Sequence, residues 1–137
     1  MGHQTLDASA LTAYYAREPG WKRMVQLFAA ARDGREPLAI HAANVGEVYY
    51  VAYRRAGAAR AAEMLAHLRR LPVRIHDRVP LDLLREAGRL KALYPVSYAD
   101  AFAVALARLR QSRLVTTDRG EIGPLEKRGE VRCLWLR

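Results

Sequence analysis

Four acidic residues that are far apart along the chain occupy positions from which they could form one site. They are Asp7, Glu47, Asp100 and Asp118. Each of them either follows a short apolar run that predicts a strand or lies in the first turn of a predicted helix. In an open parallel sheet, the carboxyl ends of the strands and the amino ends of the following helices lie at the same edge. We therefore expect the four carboxylates to converge at that edge.

A cluster of carboxylates is suited to holding a divalent cation. Like charges at close range resist ionising together unless a cation lies among them. The predicted cluster offers oxygen ligands without sulfur or grouped histidines, a donor set that favours Mg²⁺ or Mn²⁺. Two such ions can assist an in-line displacement at phosphorus, by activating the attacking water and stabilising the departing 3′ oxygen. The cluster thus predicts metal-dependent phosphodiester hydrolysis.

Helix capping is an alternative interpretation for two of the four acids. Asn44 and Glu47 have the spacing of a capping box, and so do Ser97 and Asp100. In this interpretation each acid accepts a hydrogen bond from the backbone at a helix N-terminus and binds no metal. Several caps at one edge would, however, place like charges side by side in a chain dominated by cations, and this weakens the interpretation.

The other two acids also have a purely structural alternative. Asp7 could cap a helix that begins near Ser9, and Asp118 could form a turn before Gly120. Glu121 follows closely and could share a metal site, although we expect its side chain to be solvated.

Short apolar strands alternate with helical patterns along the chain, and we find no repeat and no linker. One predicted strand ends near residue 7, and the others cover residues 38–41, 73–76, 114–116 and 131–136. The predicted helices cover residues 21–32, 58–71 and 80–94, and two more begin near Val45 and after Ser97. This alternation favours an α/β fold with a mostly parallel sheet covered by helices on both faces. At 137 residues, we expect a single domain over residues 1–137.

The charge of the chain favours a polyanionic partner. It has 23 Lys and Arg residues against 14 Asp and Glu residues, a formal net charge of +9. Such a charge attracts nucleic acid through its field alone. Solubility, or binding to an acidic protein, would explain the same excess. The charge therefore agrees with a phosphodiester substrate but does not require one.

The remaining composition points to a protein of the reducing cytoplasm. The single cysteine, Cys133, cannot form an intramolecular disulfide. The longest apolar run, residues 101–107, is far shorter than the ~20 residues of a membrane-spanning helix. We therefore expect cytoplasmic localisation and no membrane association.

The four acids lie in four short motifs. The motifs are Leu6-Asp7-Ala8-Ser9-Ala10-Leu11, Asn44-Val45-Gly46-Glu47-Val48, Ser97-Tyr98-Ala99-Asp100-Ala101 and Val115-Thr116-Thr117-Asp118. Together they resemble the motifs of the PIN-domain nucleases, and the resemblance is closest to VapC-type toxins of bacterial and archaeal toxin–antitoxin pairs. Each is weak alone, but all four occur in order and at family-like spacing over essentially the whole chain. One departure is that Arg119-Gly120-Glu121-Ile122 lacks the aromatic residue that often follows the last aspartate.

This resemblance implies a three-layer α/β/α fold and Mg²⁺- or Mn²⁺-dependent cleavage of RNA. It also implies a homodimer and a cognate antitoxin that covers the active site. By position, the four acids take the family's catalytic and metal-binding roles, while Ser9 and Thr116 match the hydroxyl residues that often orient them. Two alternatives stay open. One is a PIN-like module that binds nucleic acid or protein without cutting. The other is a housekeeping RNA-processing nuclease.

Overall fold

Five parallel strands form the central sheet of the computed structural model, which describes residues 2–137. The strands are β1 (Gln4–Leu6), β2 (Leu38–His41), β3 (Arg74–His76), β4 (Arg113–Thr116) and β5 (Cys133–Trp135). Their order across the sheet is β3-β2-β1-β4-β5. The chain therefore builds outward from β1 to one side and then crosses back to place β4 on the other side. This reversal between β1 and β4 opens a crevice at their carboxyl ends, where ligands bind in sheets of this kind.

Seven helices are described, and they cover both faces of the sheet. They are α1 (Ala8–Ala16), α2 (Trp21–Arg32), α3 (Ala42–Ala56), α4 (Ala58–Leu68), α5 (Leu81–Leu93), α6 (Tyr98–Leu109) and α7 (Arg119–Lys127). The buried residues of α1 to α4 form one hydrophobic core, and those of α5 to α7 form another. Side chains alternate across a strand, so neighbouring residues of β4 pack into different cores. Val115 packs into the first core and Leu114 into the second. The predicted three-layer α/β/α architecture is confirmed.

Most of the predicted elements are present with small changes of boundary. The strand at 38–41 and the helix at 21–32 have the predicted limits, and α6 begins directly after Ser97. Helix α4 ends at Leu68 rather than at residue 71, and β5 is shorter than predicted at both ends. Gly57 separates α3 from α4 with a φ of 89°, a left-handed conformation that glycine adopts without a steric cost.

One prediction about the helices is wrong, and one helix is missing from the predictions. Helix α3 begins at Ala42 rather than near Val45, so Glu47 lies in its second turn and not in its first. Helix α7 was not predicted, because Gly120, Gly123 and Pro124 weaken a helical pattern. Among the described residues, no helix combines the length and the apolar character that crossing a membrane requires.

Candidate active site

Asp7 lies at the carboxyl end of the central strand β1 and is held by both of its carboxylate oxygens. Its Oδ1 accepts hydrogen bonds from the backbone N–H of Ala10 at 3.0 Å and from the hydroxyl of Ser9 at 2.6 Å. Its Oδ2 accepts from the hydroxyl of Thr116 at 2.5 Å. The side chain is only 1% exposed. Asp7 therefore does cap α1, as the structural alternative predicts, but capping occupies one oxygen only.

Two hydroxyl groups connect Asp7 to the loop that follows β4. Ser9 Oγ accepts from the backbone N–H of Thr117 at 2.9 Å, and Thr116 Oγ1 accepts from the backbone N–H of Asp118 at 3.0 Å. Because each hydroxyl has one proton and gives it to Asp7, each must accept from the loop. Ser9 and Thr116 thus fix Asp7 relative to the segment that contains Asp118, the orienting role expected of them.

Asp118 begins α7, a helix that the sequence did not predict. Its Oδ1 accepts from the backbone N–H of Glu121 at 3.0 Å, so Asp118 is the N-cap of a helix rather than part of an isolated turn. The expectation of a turn before Gly120 is therefore wrong. Arg119, which occupies the position after the last aspartate, places its guanidinium 4.1 Å from the ring centre of Trp135 on β5.

Asp100 lies in the first turn of α6, and its carboxylate does not cap that helix. Ser97 Oγ accepts from the backbone N–H of Asp100 at 3.1 Å, which is half of the predicted capping box. The other half is absent, because the backbone N–H of Ser97 donates to Glu121 Oε1 at 2.8 Å and not to Asp100. The carboxylate of Asp100 is thus left to face the other acids, at 6% exposure for the residue.

Glu121 belongs to this group, and the expectation of a solvated side chain is wrong. Its carboxylate bridges two elements, since it accepts from Ser97 at the start of α6 while lying in the first turn of α7. One carboxylate oxygen from each of Asp100, Asp118 and Glu121 lies within 4.8 Å of the others. Helix α7 gives Glu121 this position, and because that helix was not predicted, the sequence raised Glu121 as a candidate ligand without indicating its contacts.

Glu47 lies beside this cluster without entering its closest group. It is half-buried on α3 and lines a groove with Ser9 and Thr117. The capping box predicted for Asn44 and Glu47 is wrong, because His41 caps α3 by accepting from the backbone N–H of Ala43. Asn44 is instead fully buried inside the helix. Glu47 therefore has no capping role.

The pKa values of these acids reflect burial and mutual repulsion. Burial raises the pKa of Asp7 to about 6, although the hydrogen bonds from Ser9 and Thr116 oppose the shift. Burial also raises the pKa of Asp100 to about 9, and a hydrogen bond with Glu121 acts in the same direction. The pKa of Glu47 is raised by partial burial and then by the negative charges of Glu121 and Asp118. These groups are therefore close enough to repel one another.

No Lys or Arg forms an ion pair with these acids within the described part of the chain, although the pKa of Glu121 is lowered by its hydrogen bond with Asp100 and, to a smaller extent, by the charge of Lys91. The ion pairs found there involve other carboxylates, namely Glu18, Asp33, Glu86 and Glu130. This is notable in a chain with 23 basic residues. A compact group of oxygen donors without a cationic partner fits a hard divalent ion such as Mg²⁺ or Mn²⁺. Asp100, Asp118 and Glu121 have the geometry to hold it, with Asp7 and Glu47 adjacent.

A comparison with protein families agrees with this geometry. The sequence profile described as the PIN domain matches residues 5–122, which contain all five acids. The chain belongs to the PIN-domain family. A comparison with curated protein sequences gives no match.

Solved structures with the same PIN fold include several toxin–antitoxin proteins. The DNA-bound VapBC of Salmonella typhimurium has a TM-score of 0.72 at 17% identity and covers 100% of both chains. VapBC2 of Rickettsia felis, bound to a promoter DNA fragment, has a TM-score of 0.73 at 13% identity over 96% of both chains. Mycobacterium tuberculosis VapC20, described as a sarcin–ricin-loop-cleaving toxin, has a TM-score of 0.68 at 19% identity over 88% of this chain and 94% of that one. Identities this low establish a common fold.

Proposed function

We propose that this PIN-domain protein is a divalent-metal-dependent endoribonuclease that hydrolyses RNA phosphodiester bonds. The proposal is carried by the cluster of three carboxylates, Asp100, Asp118 and Glu121, at the crevice between β1 and β4. None of these carboxylates forms an ion pair in the described part of the chain. A module that only bound RNA would gain nothing from negative charge at the surface that faces the substrate. A nuclease gains a metal site there, while the net charge of +9 attracts the polyanion.

The residues of the site divide into those that hold the metal and those that position them. Asp100, Asp118 and Glu121 offer the closest oxygen ligands, and Asp7 and Glu47 add charge on either side. Ser9 and Thr116 fix the carboxylate of Asp7 through their hydroxyl protons. Bound Mg²⁺ or Mn²⁺ would activate a water molecule for attack at phosphorus and stabilise the departing 3′ oxygen.

The biological role that we propose is that of the toxin of a toxin–antitoxin pair. The support is the fold shared with VapBC and VapC structures over nearly the whole chain. In this role the protein acts in the cytoplasm, forms a homodimer and is inhibited by a cognate antitoxin. We expect the antitoxin to place a cation, such as an arginine, among the carboxylates, since that would replace the metal's charge.

The experiment that tests the nuclease proposal uses total cellular RNA and the purified chain. With Mg²⁺ or Mn²⁺ the protein should generate internal breaks, mapped by sequencing the new RNA ends, and excess EDTA should abolish them. Asp7→Asn and Glu47→Gln should each lose most of the activity while staying folded, because each removes a negative charge and little volume.

The matched control is Glu63→Gln, which makes the same change at an exposed position of α4. This variant should cleave like the wild type. Undiminished cleavage in EDTA would refute the metal mechanism. Full activity in both Asp7→Asn and Glu47→Gln would remove these acids from the site.

A further inference from the structure

Three aromatic rings are stacked in a row between the first turns of α6 and the end of β2. The ring of Tyr98 stacks on Phe102 with centres 4.8 Å apart and planes inclined by 27°. Phe102 in turn stacks on His41, with centres 4.9 Å apart and planes inclined by 8°. His41 is 3% exposed, whereas Tyr98 is 46% exposed. The row therefore leads from the core to the surface and ends with an open tyrosine.

The buried end of this row is fixed by hydrogen bonds. His41 Nδ1 accepts from the backbone N–H of Ala43 at 3.0 Å, and its Nε2 lies 3.0 Å from the carbonyl oxygen of Arg78. Because Nδ1 accepts, Nε2 carries a proton and donates to that carbonyl. His41 also ends β2 and caps α3, which fixes its ring in the fold. Phe102 and Tyr98 thus lie on a rigid support.

The open ring lies at the edge of the proposed active site. Tyr98 is the first residue of α6 and follows Ser97, whose backbone N–H binds Glu121. Tyr98 and Asp100 belong to the same first turn of α6, about 3 Å apart along the helix axis, and their side chains leave the helix on different sides. Phe102 covers one face of the Tyr98 ring. Nothing in the described part of the chain stacks on the other face.

We propose that Tyr98 is a stacking platform for an unpaired base of the RNA substrate, next to the phosphodiester bond that is cut. This inference rests on the proposed nuclease function and adds the residue that positions the strand. Proteins bind single-stranded RNA by stacking its bases on exposed aromatic side chains, and rigid supports make such stacking more favourable. An aromatic ring beside a metal site would fix the sugar–phosphate backbone next to that base. Tyr98 is in this sense a positioning residue and not a catalytic one.

Another exposed tyrosine provides the matched control. Tyr53 on α3 is 49% exposed, close to the value for Tyr98. Its nearest aromatic ring is Tyr49, tilted by 58° at 6.1 Å, so it is not part of a stacked row. Tyr53 forms none of the hydrogen bonds that organise the carboxylates.

The test uses a single-stranded oligonucleotide that contains a mapped cleavage site. Tyr98→Ala should raise KM by about 5- to 150-fold, the range for loss of one base–aromatic stack, and should leave kcat nearly unchanged. Tyr98→Phe keeps the ring and should behave like the wild type, and so should Tyr53→Ala. Melting temperatures check that all three variants are folded.

The position of the stacked base is found by changing the RNA. An abasic site at the stacked nucleotide should weaken wild-type binding and abolish the difference between wild type and Tyr98→Ala. 2-Aminopurine at that nucleotide should lose fluorescence when the oligonucleotide binds the wild type in EDTA, and should not do so with Tyr98→Ala. The EDTA experiment requires no cleavage.

The two proposals fail in different ways. Cleavage by the wild type with an unchanged KM and unchanged fluorescence quenching in Tyr98→Ala would overturn the stacking inference and leave the nuclease proposal intact. The same result is expected if Tyr98 contacts a protein partner instead of RNA. A wild type that cuts no RNA with Mg²⁺ or Mn²⁺ would overturn the nuclease proposal, and the fluorescence experiment would then decide on stacking alone.

Discussion

At the scale of single residues, the two functions available to an acid at a helix N-terminus can be separated by which atoms its carboxylate binds. Asp7 and Asp118 each cap a helix through one oxygen, whereas Asp100 caps nothing because Glu121 takes the backbone N–H of Ser97. The capping interpretation therefore explains part of the role of two acids and none of the role of Asp100. The remaining carboxylates form a cluster without ion pairs. The free energy of unfolding should therefore depend on pH and on bound metal.

The first prediction concerns the pH dependence of stability without metal. Burial raises the pKa of Asp100 to about 9 from a usual value of 3.8, so the folded protein binds a proton that the unfolded chain releases. The stability contributed by this group is present below pH 4 and is lost as pH rises through 9. In EDTA, Asp100→Asn should melt close to wild type below pH 4 and above it at pH 9, since asparagine is always neutral. Thermal melts at matched ionic strength measure this difference.

Adding metal at pH 9 should narrow the difference between the two proteins. Free Mg²⁺ or Mn²⁺ at 100 times its dissociation constant should stabilise wild type by about 2.7 kcal/mol, and Asp100→Asn much less. Glu63→Gln, which changes an exposed acid on α4, should follow wild type under every condition. Equal metal shifts in wild type and Asp100→Asn, with the variant melting lower in EDTA, would show that Asp100 is not in the metal site.

At the scale of elements, α7 explains why the sequence predicted part of the site and missed the rest. Its Gly120, Gly123 and Pro124 favour a loop when the chain is read locally. Tertiary contacts override this preference, because Ile122 and Leu125 are fully buried. The sequence pattern did predict the strands that Asp7 and Asp118 follow and the helix that contains Asp100. Glu121 depends on a helix stabilised by long-range contacts, which a local pattern does not contain.

The second prediction separates capping from metal binding at Asp118. Serine caps a helix about as well as aspartate does, but it has no charge. In EDTA, Asp118→Ser should therefore keep the stability of wild type, whereas Asp118→Ala should lose about 0.5–2 kcal/mol of unfolding free energy. Both variants should lose most of the stabilisation by Mg²⁺ or Mn²⁺. Denaturant unfolding with and without metal measures both effects. A normal metal response in Asp118→Ser would contradict a ligand role and leave capping as the function of Asp118.

At the scale of the whole molecule, topology and charge act together. The order of strands places the crevice between β1 and β4, so residues from opposite halves of the chain meet there. The alternation of strands and helices predicted this convergence, because parallel strands share one carboxyl edge. It did not predict that the acids would lack cationic partners, since pairing depends on side-chain positions in three dimensions. The net charge of +9 therefore surrounds a local group of opposite sign.

The last prediction uses this charge to test the toxin role in cells. A chain this basic could harm a bacterium simply by binding its RNA, and that effect would persist when an acid is removed. Asp100→Asn and Glu63→Gln each replace a carboxyl group by an amide and make the chain no less basic, so toxicity from non-specific binding should persist in both variants. If toxicity comes from cleavage, induced expression of wild type and of Glu63→Gln should arrest growth, and Asp100→Asn should not.

Co-expression of the adjacent upstream gene should relieve the arrest if it encodes the antitoxin. Growth curves at matched soluble protein levels measure the effect. Harmless accumulation of soluble wild type would count against the toxin role, and equal arrest by all three proteins would attribute the toxicity to charge.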